Sequence, residues 1–293
     1  MRLLRRLYDT NMRRWIRRRE VLRGTQRDGA AWQRFADELY LESEPVFVLS
    51  TGRCGTELLT KLFDATSGVA CNHNEAPELI HSSVLAWRKG QEDFDAYVEA
   101  VRAGRFELMA EAKLRGRRYI ETNCRITFFA PHVLALFPKA RFIHLVRHPA
   151  SFVRSTVRRG AYEGTYADLG RISPVDGEAA ELWSEWSSIQ RCAWLWAETN
   201  AFIEDFRSVV DSERFLRVSA EDLFKSPATF NRILEHCGLA AQSEAKIASR
   251  IAKPVNADTA SHGLGRYETW THEERAWLQD SVASLAKTYG YAV

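Results

Sequence analysis

Two arginines in this chain stand where a short apolar run gives way to a turn and then to a helical pattern. In the stretch from Pro45 to Leu59, PVFVLSTGRCGTELL, the β-branched and aromatic residues Val46, Phe47, Val48 and Leu49 have the length of a buried strand. Gly52 and Gly55 bracket Arg53 and Cys54, and Thr56 then opens a helix carrying Leu58, Leu59 and Leu62 on one side. Backbone N–H groups converging in such a turn, with the positive end of the helix behind them, bind phosphate or sulfate, and Arg53 adds a cation with forked donors. A second unit runs from Arg141 to Arg159, RFIHLVRHPASFVRSTVRR. There Phe142, Ile143, Leu145 and Val146 read as a parallel-type strand, Arg147 lies at its ligand-facing end, and Pro149 suits a first helical position. Ser155 and Arg159, four residues apart, share a face of that helix, so with Arg147 they can converge on one dianion. Neither loop has the Gly-Lys-Ser/Thr ending of a Walker A loop, since Gly55 is followed by Thr56 and Glu57, and this disfavours an NTPase or nucleotide kinase.

Holding two such sites requires alternating strands and helices. After the Thr56 helix, Ser67-Gly68 makes a turn and Val69-Ala70-Cys71 a second strand. The polar cluster Asn72-His73-Asn74-Glu75 falls just past that strand's C-terminal end, the edge at which open α/β sheets bind ligands. Glu75 is a candidate general base there, with His73 as its rival. Phe94 to Met109 reads as a charged surface helix. Tyr119 to Asn123 reads as a strand followed by Arg125, a cation suited either to charge developing in a transfer step or to an ordinary surface ion pair. Of the aromatic group Tyr162, Tyr166, Trp183, Trp186, Trp194 and Trp196, Trp194 fits an inward-packing helix, whereas Trp183 and Trp186 could wall an acceptor pocket. Arg214 to Val218 forms a further strand.

The first loop, Ser50 to Leu59, resembles the 5′-phosphosulfate-binding loop of sulfotransferases that use 3′-phosphoadenylyl sulfate (PAPS), and is nearest in motif to the tyrosylprotein and bacterial branches. Gly52, Cys54 and Glu57 stand where that loop usually has Pro, Ser and a second Thr. The second unit resembles the 3′-phosphate site of the same family, with Arg147 and Ser155 at the usual spacing and Arg159 where tyrosylprotein members carry a further Arg. Ser219 to Leu239 is similar to a family segment in which Glu221, Asp222, Leu223 and Pro227 match, while Ser219 and Ala220 replace the common Arg-Tyr. Lys253-Pro254-Val255-Asn256 is similar to a tyrosylprotein segment, with His262 at the position of a phosphate-binding Lys. The resemblance implies a three-layer α/β fold of P-loop-like sulfotransferase type, with a mainly parallel central sheet and flanking helices. It further implies transfer of a sulfuryl group from PAPS to a hydroxyl acceptor, leaving 3′,5′-adenosine bisphosphate (PAP), with no metal required. Arg53, Cys54, Gly55, Thr56 and Glu57 would hold the 5′-phosphosulfate, and Arg147, Ser155 and Arg159 the 3′-phosphate. Glu75 would act as base, and Arg53 with Arg125 would offset charge in flight. A carbohydrate, lipid or small-molecule acceptor is preferred; a tyrosine-directed enzyme and a non-catalytic nucleotide-binding protein are the alternatives.

Composition sets the remaining bounds. With 293 residues, 45% of them apolar, the chain can bury one large core. An extension over residues 1–44 precedes the sulfotransferase-like domain of 45–293. Nine arginines between Arg2 and Arg23, against Asp9 and Glu20, make the start of the chain strongly basic although the whole carries only +3. Leu3, Leu4, Leu7, Trp15 and Ile16 interleave with them at helical spacing, a pattern that fits peripheral contact with an anionic membrane, self-association or a packed helix. No nucleic-acid motif accompanies the charge. Five cysteines without a CxxC pair fit reduced thiols in a cytoplasmic protein, and no apolar run reaches transmembrane length.

Overall fold

The computed structural model describes residues 29–253 and 264–292. The basic segment at the start of the chain and the stretch Pro254 to His262 lie outside the described residues.

Five strands, β1 (Val46–Leu49), β2 (Val69–Asn72), β3 (Arg118–Glu121), β4 (Arg141–Val146) and β5 (Phe215–Ser219), form one sheet in the order β2-β3-β1-β4-β5, with every pairing parallel. Both faces are covered by helices, the arrangement that lets a strand read as an unbroken apolar run. All four residues of β1 are buried. Phe47 sits with its ring between those of Phe142 and Tyr119 from the adjoining strands, at centroid distances of 6.2 and 6.1 Å.

Chain order explains where the crevice opens. From β1 the chain moves to β2 at one edge, returns to β3 beside β1, and then crosses to β4 on the other side. The connections leaving β1 and β4 therefore diverge, and their C-terminal ends frame a crevice at the switch in strand order. Helix α1 (Gly29–Asp37) and the turn after it lead into β1, α2 (Thr56–Asp64) follows the glycine loop, and α3 (Ile80–Lys89) and α4 (Phe94–Leu114) link β2 to β3. Beyond β3 come a 3-10 segment (Cys124–Phe129) and α5 (Ala130–Leu136); α6 (Pro149–Val157) leaves β4 with Pro149 at its start. The return to β5 runs through α7 (Gly177–Leu182) and the long α8 (Ser188–Arg207), and the remainder is α9 (Ala220–Lys225), α10 (Pro227–His236), α11 (Glu244–Ile251) and α12 (His272–Thr288).

Two elements differ from their sequence-based reading. Helix α4 is not a surface element: it buries Val101, Met109, Ala112 and, with them, Arg105. An arginine can be buried only when its donors are met, and the Glu121 carboxylate meets it with bonds of 2.8 Å from Nε and 2.7 Å from Nη2. Helix α6 ends at Val157, because Gly160, at φ +65°, turns the chain away. Arg159 therefore stands exposed beyond the helix rather than on its face. Among the described residues no helix is long and apolar enough to cross a membrane.

Candidate functional site

The loop after β1 winds through three residues with positive φ, Gly52 at +75°, Arg53 at +54° and Gly55 at +94°. The left-handed conformation suits glycine and strains other residues, so both glycines are required by the turn. Proline could not occupy position 52, because its ring fixes a negative φ. A side chain at Gly52 would also press on the Cys124 sulfur, and one at Gly55 would overlap the Phe224 ring at 2.5 Å. Thr127 clamps the start of the loop: its hydroxyl donates to the Ser50 carbonyl and accepts from the Ser50 amide, each at 3.0 Å. The Cys54 thiol turns inward to the Gly52 carbonyl at 3.1 Å, and burial pushes its pKa up to about 12, so it is neither exposed nor nucleophilic.

Arg147, at the end of β4, reaches across to this loop and donates from Nη1 to the Arg53 carbonyl at 2.8 Å. The Arg53 Nε lies 3.4 Å from the Ser155 hydroxyl on α6. The residues of the two predicted anion units are thus joined in one cleft of about 470 Å³, which Arg53, Gly55, Thr56, Glu57, Arg147 and Ser155 all line. Burial and the neighbouring cations Arg159 and Arg147 lower the Arg53 pKa, the signature of positive groups crowded together with too little anion to balance them. The Nε atoms of Arg147 and Arg154 are buried with no hydrogen-bond partner. Buried donors left unmet are costly, so holding these two arginines in place lowers stability.

Several cleft residues went unassigned in the sequence. Arg154 on α6 and Arg158 just past its end line the cleft, and Arg159 is near enough for its charge to act on Arg53. Lys253 lines the far wall with Ile251, and Phe224 packs over Gly55 with its ring 5.7 Å from the Arg147 guanidinium. Glu221, in the family-like segment after β5, accepts from the His148 amide at 3.2 Å and from the Tyr291 hydroxyl at 2.9 Å, bracing the loop that follows β4. Glu57, in the first turn of α2, pairs with Lys61 at 3.5 Å.

The expected catalytic side chains are distributed differently. Glu75 is exposed on the connection between β2 and α3 and does not line the cleft, whereas His73, two residues earlier, does. The His73 Nδ1 lies 3.0 Å from the Thr122 hydroxyl, and burial is the main reason its pKa sits below the ordinary histidine value. Arg125 points its guanidinium at the turn Tyr166–Gly170, donating to the carbonyls of Gly170 and Ala167, so its charge is engaged in holding that turn. Trp183 lies among Trp186, Trp194 and Tyr162, with centroids 5.2 to 5.5 Å apart, in a half-buried aromatic group.

The sequence pattern of the sulfotransferase family matches residues 45–243. The chain belongs to that family. Two curated relatives, the omega-hydroxy-beta-dihydromenaquinone-9 sulfotransferases Stf3 of Mycobacterium bovis and Mycobacterium tuberculosis, are each 26% identical to this sulfotransferase over 189 residues. The match covers 64% of this chain but 45% of each relative, so it spans about half of their length. In fold the protein is similar to the sulfotransferase domain from the curacin biosynthetic pathway, with a TM-score of 0.53 and 16% identity over 86% of this chain and 99% of that one. The sulfotransferase domain of the Synechococcus PCC 7002 olefin synthase gives a TM-score of 0.51 and 17% identity over 86% and 97% of the two chains.

Proposed function

We propose that this sulfotransferase transfers a sulfuryl group from PAPS to a hydroxyl-bearing acceptor. The observation that carries the reading is the convergence of Arg53 and Arg147 in one cleft, with a carbonyl of the first bonded to the guanidinium of the second at 2.8 Å. The cleft is lined both by a left-handed glycine turn at a helix N-terminus and by Arg147, Arg154, Arg158 and Ser155. Donors brought to one cleft by two strand–helix units suit a nucleotide that carries more than one anionic group. When bound, PAPS supplies the activated sulfuryl group. Gly55, Thr56 and the Arg53 guanidinium would hold the 5′ end and offset charge accumulating on its bridging oxygen. Arg147, Ser155 and Arg159 would hold the 3′-phosphate, Arg159 from an exposed position just past the end of α6.

The acceptor proton requires a base near the sulfuryl end of the cleft. Glu75 is the residue expected from the sequence, but its carboxylate would have to swing in from solvent. His73 already lines the cleft and is held below the usual histidine pKa, so it is neutral at pH 7 and able to accept a proton. The geometry favours His73. An apolar, hydroxylated acceptor suits the half-buried tryptophans, and the mycobacterial relatives are named for an omega-hydroxylated dihydromenaquinone.

Two measurements test the reading. Titration with PAP should show binding that Arg147→Ala weakens severely; absence of binding rejects the assignment. Turnover of sulfuryl from PAPS should fall by about 10²- to 10⁴-fold in His73→Gln with PAP binding retained, while Glu75→Gln stays near wild type. The reverse pattern would return the role of base to Glu75.

A further inference from the structure

Three consecutive residues at the end of β3, Glu121, Thr122 and Asn123, each hold part of the segment that carries His73. Glu121 does so through Arg105, whose Nη1 donates to the Pro77 carbonyl at 2.9 Å. Asn123 donates to the Glu78 carbonyl at 3.2 Å. Thr122 acts at both levels: its amide donates to the Asn72 carbonyl at 2.8 Å, and its hydroxyl meets the imidazole.

The hydroxyl contacts form a chain whose direction can be worked out. The Thr60 oxygen lies 2.7 Å from the Thr56 carbonyl and 2.7 Å from the Thr122 oxygen, and the Thr122 oxygen lies 3.0 Å from the His73 Nδ1. A carbonyl only accepts, so the Thr60 proton belongs to Thr56 O. Each hydroxyl has one proton. The 2.7 Å contact between the two threonines must then use the proton of Thr122, and nothing remains on Thr122 to donate to the ring. The alternative sense, Thr60 to Thr122, would leave the Thr60 oxygen facing the Thr56 carbonyl at 2.7 Å without a hydrogen between them. In that sense the Thr122 proton would go either to the Asn72 carbonyl, 3.2 Å from its oxygen, or to the ring, and in both senses three bonds form together only when Nδ1 is a donor.

We infer that Thr122 is a positioning residue: the relay His73 Nδ1–H to Thr122, Thr122 to Thr60 and Thr60 to the Thr56 carbonyl fixes the imidazole in the Nδ1–H form, leaving the Nε2 lone pair as the one that takes the acceptor proton. When Nε2 is protonated, Nδ1–H still donates to Thr122, so every bond of the relay survives the proton transfer. The relay ends on the first turn of α2, the helix that carries the phosphosulfate-binding loop, so base and loop are set by one rigid connection. Thr122 is fully buried, and water does not compete for its hydroxyl. Burial opposes the imidazolium, while a hydrogen bond to the Thr122 backbone and the charges of Glu57, Asp64 and Glu121 favour it. The catalytic meaning of this relay rests on the proposed role of His73; its existence does not.

The test therefore reads the tautomer apart from turnover. In protein labelled with ¹⁵N-histidine, two-dimensional NMR at pH 7.5 should show the His73 signals of an Nδ1-protonated ring. Thr122→Val, which keeps the shape and removes the hydroxyl, should move the ring toward the Nε2-protonated form, and Thr122→Ser should restore the wild-type pattern. Sulfuryl transfer should fall at least about tenfold in kcat in Thr122→Val with the KM for PAPS unchanged, and recover in Thr122→Ser. An Nε2-protonated ring in the wild-type protein overturns the inference, as does an unaltered ring in Thr122→Val; the wild-type spectrum decides even if the valine variant does not fold. Full turnover in His73→Gln would instead overturn the assignment of the base while leaving the tautomer result standing.

Discussion

Arg147 divides one guanidinium between two tasks. Its Nη1 is spent on the Arg53 carbonyl, which fixes the glycine loop, while the side chain also lines the cleft in which the proposed anion would sit. Removing the side chain costs both the anion bond and the brace. Arg147→Ala should therefore weaken PAP binding by about 3 kcal/mol, on the order of a hundredfold in Kd, because a hydrogen bond to a charged group contributes about 1.5–3 kcal/mol. Arg147→Lys should recover only part of the loss, since an ammonium restores charge without the fork. Isothermal titration calorimetry on the two variants checks this, and equal affinities for lysine and arginine would mean that charge alone matters. At this scale Arg53, Arg147 and Ser155 could be singled out because each sits at a fixed offset from an apolar strand, and the fold brings all three to one cleft. It did not separate His73 from Glu75: both lie just past β2, and which of them faces the cleft depends on Thr122, which is 49 residues away from His73.

The glycine loop with α2 behaves as one element, and Phe224 from α9 packs against it. Gly55→Ala faces two separate penalties, the positive φ of +94° and a clash that would put its Cβ 2.5 Å from the Phe224 ring. Together they should destabilise the protein by about 2–4 kcal/mol and weaken PAP binding, since the N–H groups of the turn can no longer converge. Adding Phe224→Ala removes only the overlap. The double variant should thus be less unstable than the sum of the single ones, and thermal denaturation of the three proteins measures the difference. Strict additivity would show that backbone strain is the whole effect. The strands were legible as elements because β1 is an unbroken apolar run and β4 one interrupted only by His144, and only a sheet covered on both faces can bury such runs. The register of helix faces was less so. Arg154 and Arg158 line the cleft while Arg159, past the end of α6, is exposed beside it, and arginines spaced along a helix give no sign of which turn ends it. Arg105 read as surface for a related reason: burial of a cation follows from a partner brought by the fold, here Glu121 on the adjoining strand.

Across the whole molecule, the buried histidines set the response to acid. His73, His132, His144 and His236 all have pKa values below the ordinary one, with burial as the leading cause in each. The case is clearest for His144 on β4, fully buried, 2.8 Å from the Asn200 side-chain oxygen and 3.6 Å from Glu204, where nearby Arg217 also opposes a charge. As pH falls below about 6.5, the unfolded chain takes up protons that the folded one refuses, so stability drops until the folded values are reached. Each such histidine contributes at most about 1.4 kcal/mol per pH unit within that window. Glu204 acts in the same direction but much lower. Despite its own burial, the His144, Arg217 and Arg207 contacts hold its pKa at about 2, so its share is lost only as the solution is taken from the usual carboxylate range down to strong acid. The protein should therefore unfold at a lower temperature at pH 5.0 than at pH 7.5, before any carboxylate of this network titrates. In Glu204→Gln the fall between pH 7.5 and 5.0 should persist, because the histidines cause it, while the loss below pH 4 should shrink. Calorimetric scans of the two proteins across pH 3 to 8 separate the contributions, and a wild-type melting temperature that stays level or rises between pH 7.5 and 5.0 would show that the buried imidazoles become protonated without penalty.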